Sequence, residues 1–147
     1  MLSAVGVASS NLVASVAFYA ALGVTFADGA GAAPDARHVE GTTAGGCRVM
    51  LDSVDLLKSL AAKSTVPWED PRGTAVTLCF EQPSPADVDS AFAAGLRAGG
   101  RTRTAPWDAF WGQRYASLLD PDGNQVDVFA ALPPPAAAPA VDPAEEA

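Results

Sequence analysis

The sequence has few of the residues that hold metal ions or form disulfide bonds. Its 147 residues include one histidine and two cysteines, Cys47 and Cys79, and neither cysteine belongs to a CxxC pair. A structural zinc site normally needs four Cys or His ligands, so this class of site is excluded. Because both cysteines lie within apolar runs, we predict that they are reduced core residues and not a disulfide.

Positive charge is also scarce. Nine Lys and Arg residues stand against 17 Asp and Glu residues, which gives a net charge of −8. Nucleic acids and anionic membrane surfaces attract basic proteins, so neither is an expected partner. The surplus of negative charge instead favours a neutral or cationic ligand.

Membrane-spanning and secretory signals are missing as well. No uncharged apolar run reaches the roughly 18 residues that a spanning helix needs. The first residues lack the basic segment of a signal peptide. We therefore expect a cytoplasmic protein that makes no membrane contact.

Apolar residues make up 49% of the chain, enough for a packed core. Their pattern shows the order strand, helix and three strands. A short strand at residues 3–8 precedes a helix that Ser10 or Asn11 caps and Gly23 ends. Three predicted strands follow, at residues 24–27, 37–41 and 47–52.

The same order then repeats. A predicted strand at residues 74–81 precedes a helix that opens with a Ser84 cap, Pro85 at its first position and an acid at Asp87. Gly99 follows the helix. The three strands of this second unit are predicted at residues 101–104, 114–120 and 124–131, and the last two are joined by a Pro–Asp–Gly turn.

The repeat predicts an α+β fold with two tandem βαβββ modules, residues 1–52 and 74–132, whose curved mixed sheets surround a cleft. Residues 53–73 are predicted to be a linker with one short helix at 55–62. Residues 133–147 are rich in proline and alanine and have little to bury, so we predict a disordered tail.

Two stretches resemble motifs of the vicinal-oxygen-chelate superfamily, which includes glyoxalases, bleomycin resistance proteins and extradiol dioxygenases. Residues 11–23, NLVASVAFYAALG, resemble its first helix, DLxxSxxFYxxxLG. Residues 115–127, YASLLDPDGNQVD, resemble its closing hairpin, DPDGNxxE. The resemblance covers residues 3–132 and implies paired βαβββ modules, and we expect a homodimer because members of the family often pair.

The resemblance also implies where a metal would bind. Metal-dependent members place a His or Gln on the first strand of a module, a Glu or His on its last strand, and equivalents in the other module. The matching positions here hold Ala4, Met50, Thr77 and Asp127. Only Asp127 is a good ligand for a hard cation, so we expect neither a family-type metal site nor another cofactor.

Strand alternation in the closing hairpin predicts the wall of the cleft. Ser117 should lie opposite Asp127, and Tyr115 opposite Phe129, while the residues between them face the helix. Aromatic, small and polar groups then share one face, as in a binding site. The candidate ligand-binding residues are Trp107, Phe110, Trp111, Tyr115, Ser117, Gln125, Asp127, Phe129, Arg48 and Met50.

Several of these residues have a plainer interpretation. Trp107, Phe110 and Trp111, in a loop before the hairpin, either cover the core or form a stacking platform for a flat ligand. Trp68 on the linker is a further aromatic of this kind. Arg48 and Asp127 either orient a ligand or form a simple ion pair across the cleft.

Three functions remain open. The first is a protein that binds a small and partly aromatic molecule without breaking a bond. It would sequester this molecule, as bleomycin resistance proteins do. The second is a metal-dependent lyase or dioxygenase that uses an atypical set of Asp127, Glu40 and His38. The third is a structural or regulatory protein whose sheet face serves only dimerisation. His38 otherwise reads as a surface residue, and Cys79 has no base near it in sequence.

Overall fold

The computed structural model describes residues 3–61 and 76–134. The elements, in chain order, are β1 (Ala4–Ser9), α1 (Leu12–Ala21), β2 (His38–Thr42), β3 (Arg48–Ser53), α2 (Val54–Ala61), β4 (Leu78–Glu81), α3 (Pro85–Arg97), β5 (Arg101–Ala109), β6 (Gln113–Leu119) and β7 (Gln125–Ala131).

The strands form two mixed sheets. The first has the order β1-β3-β2, with β1 parallel and β2 antiparallel to β3. The second has the order β4-β7-β6-β5, with β4 parallel to β7 and antiparallel pairs elsewhere. The predicted α+β fold of curved mixed sheets is confirmed, and the element order is consistent with βαβββ modules.

Both long helices begin at the predicted caps. The Asn11 side chain accepts a hydrogen bond from the Ala14 amide at 3.1 Å, and the Ser84 side chain accepts one from the Asp87 amide at 3.3 Å. These bonds satisfy amides that the first helical turn leaves without a partner. Pro85 fits the start of α3 because its missing N–H is not needed there.

The predicted strand at residues 24–27 is not formed. Only Thr25 pairs with Thr42, through two backbone hydrogen bonds of 2.9 Å. The glycine-rich segment that follows turns at once, with the Ala30 amide bonded to the Ala27 carbonyl, so the chain leaves the sheet edge after one pair. The first sheet therefore has three strands where four were predicted.

The strand predicted at residues 101–104 is longer than expected. It continues to Ala109 as β5, an edge strand whose register against β6 shifts twice. Pro106 is tolerated because an edge strand leaves one side of its backbone unpaired. Trp107 consequently lies on β5, and Phe110 and Trp111 occupy the turn to β6, so the three aromatics are not in one loop.

Helix α2 occupies the first part of the predicted linker, close to the predicted position of its short helix. The rest of the linker (62–73, including Trp68), the first residues of the strand predicted at 74–81, and positions 135–147 of the predicted tail lie outside the described residues. Within the two described ranges, no helix combines the length and the apolar character needed to cross a membrane.

One hydrophobic core joins the two modules. Helices α1 and α3 contact each other, and Gly95 of α3 lets Leu118 of β6 and Phe18 of α1 approach closely. Val49 and Leu51 of the first sheet and Val126 and Val128 of the second belong to the same buried cluster. Each sheet therefore turns its inner face to the shared core and its outer face away from it.

Both cysteines are free, as predicted, but they are not core residues. Cys79 is exposed and Cys47 is partly buried. Cys79 pairs in register with Asp127, whose side chain lies on the outer face of the second sheet. The apolar run around Cys79 had suggested burial, but β4 alternates, and its inner face is formed by Leu78 and Phe80.

Candidate ligand-binding site

The closing hairpin has the predicted register. Ser117 lies opposite Asp127, and Tyr115 lies opposite Phe129. The alternate residues on the helix side are fully buried: Ala116, Leu118, Val126 and Val128. The other side of β6 and β7 is the outer face of the four-stranded sheet, and it carries most of the predicted site residues.

Asp127 is the centre of a polar network on this outer face. Its Oδ1 accepts hydrogen bonds from Ser117 Oγ at 2.6 Å and from Gln125 Nε2 at 3.0 Å. Its Oδ2 accepts one from the Tyr115 hydroxyl at 2.5 Å. The carboxylate is largely buried, and three neutral donors satisfy it.

Aromatic side chains extend from this network to the end of β5. The Tyr115 and Phe129 rings are stacked with their centroids 6.3 Å apart. The Trp111 ring meets Tyr115, Trp107 and Phe110 edge-on, at centroid distances of 5.5, 5.3 and 5.0 Å. Such pairs hold each ring in place, so the five rings form one continuous surface.

The aromatic surface does not cover the core. Trp107, Phe110 and Trp111 expose 39, 93 and 48% of their area, and none belongs to the buried cluster. The Trp111 indole donates a hydrogen bond to Gln113 Oε1 at 2.8 Å, which fixes its ring on the surface. These aromatics therefore do not cover the core, and the stacking platform stays a prediction.

Burial and the nearby charge affect two titratable groups of this face. Burial raises the pKa of Tyr115, and the hydrogen bond to Asp127 raises it further. Burial also raises the pKa of the Cys79 thiol, with the Asp127 charge as the second cause. Both groups therefore keep their protons at neutral pH, and Cys79 is a poor nucleophile.

Arg48 and Met50 lie on the other sheet. The Arg48 guanidinium bonds Glu40 Oε1 of the neighbouring strand at 3.1 Å, so the pair with Asp127 is not formed. No hydrogen bond or aromatic contact of the described residues joins Arg48 or Met50 to the other eight candidates. The structure thus brings together eight predicted residues on one face and places two on the outer face of the three-stranded sheet.

His38 is a surface strand residue, as predicted. Its Nδ1 lies 2.7 Å from Asp52 Oδ1, and its Nε2 lies 3.9 Å from Glu40 Oε2. These residues share the outer face of the first sheet with Arg48, which is paired with Glu40.

The residues present do not fit a family-type metal. Ala4 on β1 and Met50 on β3 offer a methyl group and a thioether, and Thr77, just before β4, offers a neutral hydroxyl. The atypical set also fails to converge, because His38 and Glu40 are on β2 whereas Asp127 is on β7. In residues 3–61 and 76–134, no three His, Cys, Asp or Glu side chains form a group that could hold an ion.

Sequence reasoning did not predict which residues of β4 pair with the network. Cys79 and Glu81 lie beside Asp127 and Phe129 in the parallel β4–β7 pair. Parallel strands are not joined by a tight turn, and some 40 residues separate β4 from β7 in the sequence. No local signal therefore predicted the register of this pair.

Another missed feature is the Arg114 cluster at the rim of the hairpin. Arg114 binds Asp89 of α3 at 2.9 Å and Asp108 of β5 at 3.0 Å. These two hydrogen-bonded carboxylates raise the pKa of Arg114.

Among residues 3–61 and 76–134, the site is a sheet face whose aromatic rim of Trp107, Phe110 and Trp111 is exposed. Two cavities of about 400 Å³ lie elsewhere, one beside the first turn of α1 and one between the end of α1 and α3. Neither is lined by any of the ten candidate residues.

The molecule is an α+β protein in which two curved sheets pack on one core. The candidate site lies on the outer face of one of these sheets. The family model described as Glyoxalase/Bleomycin resistance protein/Dioxygenase superfamily matches residues 2–128. The chain belongs to this superfamily, as its motifs had indicated.

Solved structures show the same fold. A glyoxalase/bleomycin resistance protein/dioxygenase family enzyme from Burkholderia phytofirmans PsJN is 23% identical, with a TM-score of 0.70 and coverage of 89% of this chain and 98% of that one. A glyoxalase-related enzyme from Fulvimarina pelagi is 15% identical, with a TM-score of 0.72 and coverage of 88 and 87%. A lactoylglutathione lyase from Agrobacterium tumefaciens is 18% identical, with a TM-score of 0.60 and coverage of 88 and 92%. The sequence matches none of the curated proteins.

Proposed function

We propose that this protein binds a small, partly aromatic molecule on the outer face of the four-stranded sheet and breaks no bond in it. The observation that carries the proposal is the continuous aromatic surface that ends at the Asp127 network. A binding site combines apolar area, which supplies affinity, with a few fixed polar groups, which orient the ligand. This function resembles that of the bleomycin-resistance branch of the superfamily.

The protonation of the Cys79 thiol and the Tyr115 phenol on this face supports binding by hydrogen bonds. The thiol of Cys79 and the phenol of Tyr115 keep their protons at neutral pH because burial and Asp127 raise their pKa values. The carboxylate of Asp127 is engaged by three donors. These groups are suited to holding a ligand by hydrogen bonds.

We also propose that the protein is a homodimer in which a second copy covers this open face. Arg48 and Met50 lie on the outer face of the first sheet, away from the other candidates, and a partner's first sheet would bring that face onto the aromatic surface. Sedimentation velocity measures this directly, and Arg48→Glu should weaken the dimer. A monomer at all concentrations tested would contradict this part of the proposal.

The binding proposal is tested by thermal-shift screening against planar antibiotics and aromatic metabolites, since a ligand that binds the native state raises the melting temperature. Each hit is repeated on Trp111→Ala and on a matched control, Leu60→Ala. Leu60 is 53% exposed on α2, which contacts β1 and β3 of the first sheet. A ligand that no longer raises the melting temperature of Trp111→Ala but still raises that of Leu60→Ala supports the site. Ligands that raise the melting temperature of both variants as they do for the wild-type protein contradict it.

A further inference from the structure

The hydrogen bonds around Asp127 all run in one direction. A carboxylate only accepts hydrogen bonds, so the hydroxyls of Tyr115 and Ser117 each use their one hydrogen on Asp127. Gln125 uses one of its two amide hydrogens in the same way. What these groups have left for a ligand is mainly lone pairs, above all on Tyr115 Oη and on the Gln125 carbonyl oxygen, because both residues are partly exposed.

The charges of this face also favour a ligand that donates hydrogen bonds. Glu81 lies on the outer face opposite Phe129 and is diagonal to Asp127 in the register of β4 and β7. Two cations are neutralised by acidic partners: Arg114 is bound by Asp89 and Asp108, and Arg48, which the proposed dimer would bring to this face, is bound by Glu40. Arg101 lies on the same face in register with Leu119 and Gln125, and its guanidinium lies beside Gly123, at the end of the hairpin away from Trp107. The part of the face between Asp127, Glu81 and the indoles is therefore negative and rich in acceptors.

We propose that this site selects ligands that carry a cationic hydrogen-bond donor, such as an ammonium or amidinium group, on an aromatic ring. The donor would meet Tyr115 Oη and the Gln125 carbonyl, and the ring would lie on the indoles of Trp107 and Trp111. Indole faces also attract cations, which adds to the same preference. This inference rests on the proposed function and names the class of its ligand.

Calorimetric titration with four naphthalene probes tests the proposal. 2-Naphthylmethylammonium and 2-naphthoate differ in charge, whereas 2-naphthylmethanol and its methyl ether are both neutral and differ in the hydrogen that they donate. We expect the ammonium to bind at least about tenfold more tightly than the carboxylate, and the alcohol at least about threefold more tightly than the ether.

Two variants separate charge from hydrogen-bond direction. Asp127→Asn keeps the shape of the side chain, but its amide donates, so a hydroxyl of the network can turn its hydrogen outward; both preferences should fall to about twofold or less. Glu81→Gln removes a charge from the same face and leaves the three donors in place, so the preference for the alcohol should persist. Tyr115→Phe removes the main outward acceptor and should also abolish that preference.

The outcomes distinguish the inference from the proposed function. Binding of all four probes with similar affinity, or tighter binding of the carboxylate, overturns the donor preference and leaves aromatic binding intact. Equal loss of the alcohol preference in Glu81→Gln and Asp127→Asn also overturns it, because charge alone would then explain the result. Binding of none of the probes to the wild-type protein contradicts the proposed function, and the inference with it.

Discussion

The Tyr19 hydroxyl of α1 donates a hydrogen bond of 2.9 Å to Asp120 Oδ2 in the turn between β6 and β7. Asp120 is fully buried and also accepts from the amides of Asp122 and Asn124 and from the Asn124 side chain. The Asp122 carboxylate in turn accepts from the Ser10 amide just before α1. The two motifs by which the family is recognised thus bind each other, and together they join the two modules.

Tyr19→Phe should destabilise the protein by about 1.5–3 kcal/mol, because it removes a buried hydrogen bond to a charged group. Asp120→Ala should cost more, since it leaves the Tyr19 hydroxyl and the turn amides without an acceptor. Denaturant unfolding of both variants measures these free energies. Tyr115→Phe, which removes a hydroxyl from the partly exposed network, is the control and should cost less than Tyr19→Phe. The reverse order would contradict this account of the inter-module link.

Neither tyrosine of the chain should ionise in the folded protein near its ordinary pKa of 10.0. Burial raises the pKa of both, and Asp120 and Asp127 raise them further. Because the folded pKa is above the unfolded one, this contribution to stability is complete below about pH 10 and declines as the pH rises beyond it. Absorbance at 295 nm should show tyrosinate only together with alkaline unfolding. A tyrosinate signal from folded protein near pH 10 would be inconsistent with both networks.

The local signals of the sequence were sufficient for most of the fold. Asn11 and Ser84 cap their helices as their side chains predict, and the turn from Asp120 to Asn124 fixes the register of β6 and β7. The prediction of a strand at residues 24–27 was wrong. A short apolar run does not show whether a neighbouring strand is available along its whole length for pairing. The glycine-rich segment that follows turns away after Thr25. Strand propensity does not take the turn-forming tendency of such a following segment into account.

Only the part of the candidate site that lies on strands joined by a tight turn could be predicted from the sequence. Alternation along the hairpin placed Tyr115, Ser117 and Asp127 on one face because a tight turn fixes the register. The same reasoning could not relate Arg48 to Asp127, since that relation depends on how two sheets pack through α1 and α3. For the same reason, neither the pairing of Cys79 with Asp127 nor the bonds of Arg114 to Asp89 had a local signal.

Trp111→Ala should weaken a true ligand at least about tenfold, which is about 1.4 kcal/mol, while it lowers the free energy of unfolding by less than about 1.5 kcal/mol. The stability loss should be small because the ring is 48% exposed and mainly contacts other surface rings. Ligand titrations and denaturant melts of the same variant test both parts. A loss of about 3–5 kcal/mol would instead mark Trp111 as a core residue. A stable variant with unchanged affinity would end the platform interpretation.

The Cys79 thiol should react slowly with iodoacetamide at pH 8, and Asp127→Asn should speed the reaction several-fold. Burial raises the pKa of this thiol first, and the Asp127 charge raises it further, so removing that charge increases the thiolate fraction. The rate is measured by mass spectrometry in a Cys47→Ser background. Asp108→Asn, which removes a charge that Arg114 already binds, should have no effect. An equal rate with and without the Asp127 charge would disprove the electrostatic contact.

The purified protein should contain far less than one Zn, Fe, Mn or Ni ion per chain, and added ions should not raise its melting temperature. The physical reason is the donor set: Ala4, Met50 and Thr77 offer no imidazole or carboxylate, and the oxygens of Asp127 already accept three hydrogen bonds. Elemental analysis after expression in metal-supplemented medium gives the content, and thermal shift gives the response to added ions. His38→Gln is the matched variant, because it removes the sole imidazole of the chain and should therefore abolish any weak adventitious binding. A stoichiometric ion that survives dialysis and depends on Asp127 would overturn this prediction and would favour a metal-dependent lyase or dioxygenase over a binding protein.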